Sequence, residues 1–160
     1  MGIIVSSFIG CGREYFKNTY GDKIKIFDAI NEVPITDADG KINADLLDGY
    51  INKVMSVVDD NNIVFIESSK EVREAFNERN VDYDVFYPSV DRRGEFIENQ
   101  VRKRTAPKVI QTLDSNFDKW VKEIDNDDSE NCYKHKLVNK GEFIGNTPII
   151  MQYINTLGNE

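Results

Sequence analysis

The chain has 160 residues, enough for one domain with a proper core and too few for two ordinary ones. Its composition, 40% hydrophobic and 30% charged with 9 Phe and 7 Tyr, excludes a disordered polypeptide, and a formal charge of −8 sets it against a double-stranded nucleic-acid partner. The longest apolar runs, such as Val54 to Val58 and Ile63 to Ile66, are far shorter than a membrane span, and Cys11 and Cys132 lack the paired spacing of a zinc or redox motif, which points to reduced thiols in a cytoplasmic protein.

Ile3-Ile4-Val5 opens a first strand running toward Phe8, an unbroken β-branched run that suits burial on both faces. Gly10-Cys11-Gly12 breaks it, and Arg13 to Tyr20 is predicted as a short helix with Tyr15, Phe16 and Tyr20 inward, stopped by Gly21. Lys23 to Asp28 reads as a second strand. Glu32 to Asn43, with Pro34, two Asp and Gly40, is an excursion from the core. Leu46, Leu47, Tyr50, Ile51, Val54, Met55 and Val58 then recur at helical spacing behind a cap at Asn43 or Asp45.

Asp59 to Asn62 makes a turn, and Ile63-Val64-Phe65-Ile66 has the signature of a buried strand. Ser68 or Ser69 caps a helix over Lys70 to Arg79, with Glu71 placed for a capping box from Ser68 and Asn80 as its stop. Tyr83 to Tyr87 is a fourth strand ending at Pro88. A helix from about Asp91 to Arg104 follows, with Phe96, Ile97 and Val101 inward, and after Pro107 the residues Val109, Ile110, Leu113, Phe117, Trp120, Val121 and Ile124 continue helical spacing. Asp125 to Asn131 is a loop, Tyr133 to Val138 a fifth strand, and Thr147-Pro148 opens a terminal helix over Ile149 to Leu157.

Short β-branched strands alternating with helices give right-handed βαβ crossovers and a mostly parallel five-stranded sheet. Ligands of such sheets bind beyond the carboxyl ends of the strands. The stretches to examine are therefore Ser7 to Glu14, Asp28 to Asn31, Glu67 to Ser69 and Pro88 to Arg93.

A phosphate-binding loop needs glycines to curl the backbone, free amides at a helix start, a cation and a magnesium-binding hydroxyl. Ser7-Phe8-Ile9-Gly10-Cys11-Gly12-Arg13-Glu14 supplies part of this between a strand and a helix. With Asp28 closing the second strand, the Ile63 to Arg73 stretch and Tyr87-Pro88 before an arginine-bearing helix, the chain resembles the P-loop nucleotide kinases over most of its length. The likeness is to the small kinase-like proteins met in bacteriophage genomes. It departs from their loop in Ser7 for the first glycine, Arg13 for the lysine and Glu14 for the Ser or Thr that meets magnesium.

The resemblance implies a single three-layer αβα domain of P-loop type over residues 1–160, with a lid segment at about 88–108. It implies a nucleotide-binding protein of the nucleoside monophosphate kinase type, using ATP and Mg²⁺ to phosphorylate a nucleotide acceptor if active. Ser7, Gly10, Cys11, Gly12, Arg13 and Glu14 would hold the donor phosphates, and Arg13, Asp28 and Arg92 would serve catalysis. Glu14 and Asp28 would meet magnesium, while Ser68, Arg73, Arg93, Arg102 and Arg104 would grip the acceptor. The alternative is a kinase-derived binding module without transfer chemistry, recognising a nucleotide or a protein partner.

Each residue also has an ordinary reading. Asp28 is a strand-end cap, Ser68 a helix cap, Arg73 a partner for Glu74 or Glu78, and the basic helix a solvated face beside Glu95 and Glu98. His135, the single histidine, falls on an edge strand, no nucleophile triad has a placed partner, and Asp125 to Glu130 lacks the oxygen spacing of a calcium loop.

Overall fold

A computed structural model of the chain describes residues 3–158. Five strands form one all-parallel sheet: β1 (Ile3–Ser7), β2 (Lys25–Asp28), β3 (Asn62–Glu67), β4 (Tyr83–Pro88) and β5 (Cys132–Leu137), in the order β2-β3-β1-β4-β5. The connections carry α1 (Arg13–Tyr20), α2 (Ala29–Glu32), α3 (Ala44–Val57), α4 (Lys70–Glu78), α5 (Arg93–Arg102) and α6 (Pro107–Asp125), and α7 (Pro148–Gly158) follows β5. Ile63, Val64, Phe65 and Ile66 are all fully buried. Successive strand side chains point to opposite faces, so a strand buried at every position needs helices on both, and the fold is the three-layer α/β arrangement.

The chain leaves the central β1 for β2 at one edge, returns through β3, and then crosses to β4 on the other side of β1. Such a reversal of strand order leaves a crevice outside the carboxyl ends of the strands. There Ser7 of β1 stands level with Glu67 of β3 and Phe86 of β4. Phe8, the next residue, is driven into the core, edge-on to Phe117 at 5.4 Å and to Phe96 and Trp120 at 6.4 Å each. This aromatic cluster ties the loop after β1 to α5 and α6.

Several local expectations are corrected. Tyr15 and Met55, expected inward, are exposed. The expected capping box from Ser68 does not form: Ser69 occupies the N-cap of α4 and makes no side-chain cap bond. A short unexpected helix, α2, lies between the second strand and the excursion, ending at Glu32, because the Asp28 carboxylate accepts from the amide of Ile30 and starts a helical turn. The strand β5 runs one residue earlier than its alternation suggested.

The helix after Pro88 begins with a 3-10 turn, Val90–Arg92, before α5. A 3-10 turn has three residues per turn rather than 3.6, which moves the inward stripe to Arg92, Phe96 and Gln100 and leaves Val101 exposed.

Candidate functional site

The loop after β1 is a tight turn held from both sides. The amide of Cys11 donates to the Phe8 carbonyl at 3.1 Å, and Gly10, the third residue of that turn, has φ +88. A Cβ at Gly10 would meet the Phe96 ring at 3.0 Å, and one at Gly12, φ +93, would meet Phe143 at 3.1 Å. Both glycines are thus required by conformation and by close approach. The Cys11 side chain is buried, its S–H donating to the Phe86 carbonyl at 3.5 Å, and the Ile144 amide donates to the Cys11 carbonyl.

Arg13 and Glu14 open α1, and both turn toward the end of β2. Arg13 Nη1 donates to Asp28 Oδ1 at 2.9 Å, and Lys17 Nζ donates to Asp28 Oδ2 at 2.7 Å. Glu14 lies 3.5 Å from Arg13 and 3.6 Å from Lys17, and accepts from the Asn31 amide group. Two cations and two carboxylates therefore neutralise one another. A magnesium ion needs oxygens arranged octahedrally and free to turn toward it. Asp28, with a buried carboxylate bonded to two cations and the Ile30 amide, does not fit that requirement. No cluster of three or more acidic, His or Cys groups among the described residues is placed to share an ion.

Beside this cluster, a cleft of about 600 Å³ opens at the carboxyl ends of β1 and β3. Phe8, Ile9, Ile30 and Trp120 give it apolar walls, and Arg13, Lys70 and Lys119 bring positive charge. Ser7, Ser68 and Ser69 add hydroxyls, and Glu67, Glu71 and Glu123 bring as many negative charges as the three cations bring positive ones. Glu67 is fixed through its backbone: its N–H donates to the Tyr50 hydroxyl at 3.1 Å, and its carbonyl accepts from Ser6 Oγ at 3.2 Å. Burial raises the Glu67 carboxyl above its ordinary range; the charge of Arg13 opposes that shift and Glu71 adds to it. Glu67 Oε2 and Ser69 Oγ are buried without a hydrogen-bond partner among the described residues.

The structure does not bring the remaining expected residues to this cleft, Ser68 excepted. Arg73 is buried with its Nε donating to the Ser68 carbonyl and its Nη1 paired with Asp127. Arg92, 4% exposed, makes a two-pronged bond to Glu95 at 2.8 and 2.7 Å and donates to the carbonyls of Leu137 and Glu142. Its guanidinium lies 5.0 Å from the Phe96 ring centre and 5.2 Å from that of Phe143. Arg93 faces Asp114 and Asp118, Arg102 faces Glu98, and Arg104 is exposed at φ +57. His135 stacks on Phe86 and bonds Asp84 at 2.7 Å on the edge strand.

Comparison with protein-family models and with curated proteins finds no match to this sequence. Glu67, Lys119 and Trp120 have no ligand role assigned from the sequence, although Glu67 to Ser69 is one of the strand-end stretches it singles out. Glu67 had a readable signal, as the first polar residue after a buried strand, whereas Lys119 and Trp120 reach the cleft only through the packing of α6.

Proposed function

We propose that this protein binds a nucleotide in the cleft at the ends of β1 and β3, as a P-loop kinase-like domain that recognises its ligand without transferring phosphate. The observation that carries the reading is the cleft itself. Its position beside the reversal of strand order, its volume of about 600 Å³, and its pairing of an aromatic wall with cationic side chains suit a nucleotide's base and phosphate. The exposed Lys70 and Lys119 would attract the phosphate, and the half-buried Trp120 offers an apolar face to the base.

The transferring reading, with ATP, Mg²⁺ and a nucleotide acceptor, is disfavoured by a specific arrangement. Asp28, the candidate base or metal partner, is bonded to Arg13 and Lys17, so none of the three is disengaged for phosphoryl chemistry. Recognition of a nucleotide, or of a protein partner once the nucleotide is bound, needs no such disengagement.

Trp120 is the single tryptophan, so its fluorescence reports on the cleft directly. Nucleoside mono-, di- and triphosphates should be titrated with and without Mg²⁺, alongside thermal denaturation. A ligand at a hundred times its Kd stabilises the folded chain by about 2.7 kcal/mol, or roughly 5–11 °C for a chain of this length. The expected result is saturable quenching with that upward shift, little affected by Mg²⁺, and no formation of ADP from ATP. No response to any nucleotide overturns the binding; Mg²⁺-dependent phosphorylation of an acceptor overturns the absence of transfer.

A further inference from the structure

We propose that the part of the cleft lined by Glu67 and Ser69 is a subsite for an uncharged group of the ligand bearing O–H or N–H donors, such as a sugar hydroxyl or the amide edge of a nucleobase. The phosphate then lies toward Lys70 and Lys119. This deepens the nucleotide reading and rests on it for the identity of the ligand.

Four apolar residues, Ile63 to Ile66, carry β3 through the core, and Glu67 is the first residue to emerge into the cleft. Its backbone is anchored through Tyr50 and Ser6, so the carboxyl is delivered to a fixed place. A strand-end acid ordinarily finds a cation, and a serine at a helix N-cap ordinarily accepts from the helix amides. Neither happens here. The Arg13 guanidinium donates to Asp28 instead, and Ser69 makes no cap bond.

The two oxygens left over, Glu67 Oε2 and Ser69 Oγ, are both buried and both belong to residues lining the same cavity. Buried polar atoms in native proteins are satisfied almost without exception, so a pair of orphans sharing one cavity marks where a ligand's polar group fits. The chemistry of the pair selects that group. A carboxyl oxygen out of water repels phosphate and accepts from O–H or N–H, while a serine hydroxyl both donates and accepts. Lys70 and Lys119, both exposed, line the same cleft beside Glu71 and Glu123 and are the groups an anion would meet more favourably.

Calorimetric titration of wild type, Glu67→Ala, Glu67→Gln and Ser69→Ala tests the assignment, with melting curves confirming that each variant folds. The probes are the ribonucleoside 5′-monophosphates, their 2′-deoxy forms, ribose 5-phosphate and inorganic phosphate. Glu67→Ala and Ser69→Ala should each weaken the best nucleotide roughly tenfold or more. Glu67→Gln, which keeps the shape and an acceptor oxygen, should restore part of the loss. Loss on going to the 2′-deoxy form assigns the group to the sugar; loss on changing the base assigns it to the base edge. If folded Glu67→Ala and Ser69→Ala bind the nucleotide as wild type does, the subsite is overturned while nucleotide binding stands. If no nucleotide binds but ribose 5-phosphate does, and Glu67→Ala abolishes that binding, the subsite stands and the nucleotide reading falls. Binding of inorganic phosphate alone, or of nothing, overturns both.

Discussion

Replacing Arg92 with Gln should cost this protein far more stability than replacing its neighbour Arg93. Arg92 is 4% exposed and satisfies four acceptors: the two Glu95 oxygens and the carbonyls of Leu137 and Glu142. It thereby joins the start of α5 to the chain leaving β5, whose Phe143 covers Gly12. Gln is too short to span these partners. Breaking a buried ion pair by removing one member costs about 3–5 kcal/mol. Glu95 retains a bond from the Gly141 amide and some solvent contact, which places the loss near the lower figure. At about 2–4 °C per kcal/mol for a chain of this length, the melting temperature should fall by roughly 6–12 °C. Arg93 is half exposed and 3.5–3.9 Å from its acids, so Arg93→Gln should stay within about 1 kcal/mol. Hydrogen bonding from Arg92 holds the Glu95 carboxyl below its ordinary range, even against desolvation. A carboxyl with a depressed folded-state pKa contributes stability that is present above its unfolded value and is lost as pH falls through the folded one. The gap between wild type and Arg92→Gln, read by calorimetry, should therefore narrow below about pH 4. Equal and small shifts for the two variants would refute the clamp.

Two further outcomes follow from buried or capping groups. The Glu67 carboxyl, raised by burial with Arg13 opposing and Glu71 adding to the shift, binds its proton more tightly in the folded chain, so its ionisation destabilises the fold as pH rises above the ordinary carboxyl range. Glu67→Gln should gain in melting temperature relative to wild type between pH 4 and 7, and parallel melting curves would contradict this. Asn43 caps α3, accepting from the amides of Asp45 and Leu46, so Asn43→Ala should lower stability by about 1 kcal/mol in urea denaturation, whereas Ser69→Ala, at a cap that makes no bond, should change it by less than about 0.5 kcal/mol.

Much of the fold was legible because its cues are local. Ile63 to Ile66 is apolar at every position, a pattern that only a strand covered on both faces uses economically, and Gly10 and Gly12 punctuate the first crossover where positive φ is required. Asn43 was readable as a cap from its place before the helical stripe. The errors arose where one element alters the phase or boundary of the next. Val101 was expected inward because a continuous helix from Asp91 places it on the stripe; the 3-10 turn rotates that stripe onto Gln100. A polar residue is accepted there because Thr105 Oγ1 donates to its Oε1 while Gly10 lies close against it.

The candidate site was legible in position and not in partnership. Ser7, Phe8, Ile9, Arg13 and Glu67 to Ser69 do line the cleft, as strand ends should, whereas Gly10, Cys11, Gly12 and Glu14 of the expected phosphate loop do not. The basic segment after Pro88 illustrates why charge along a sequence does not transfer directly to a site. In a chain with 28 acidic and 20 basic residues, an arginine meets a carboxylate within its own fold more readily than a ligand. Arg92 takes Glu95, Arg93 faces Asp114 and Asp118, Arg102 takes Glu98, and Arg73 reaches Asp127. Such pairs cancel most of the field that the segment would project toward an anion, because opposite charges a few ångströms apart act on a distant third only as a dipole. What distinguishes a ligand-binding group is then the absence of an internal partner, a property that arises only when the whole chain has folded. Glu67 was visible in sequence as the residue after a buried strand; its significance lies in Arg13 having turned to Asp28 instead.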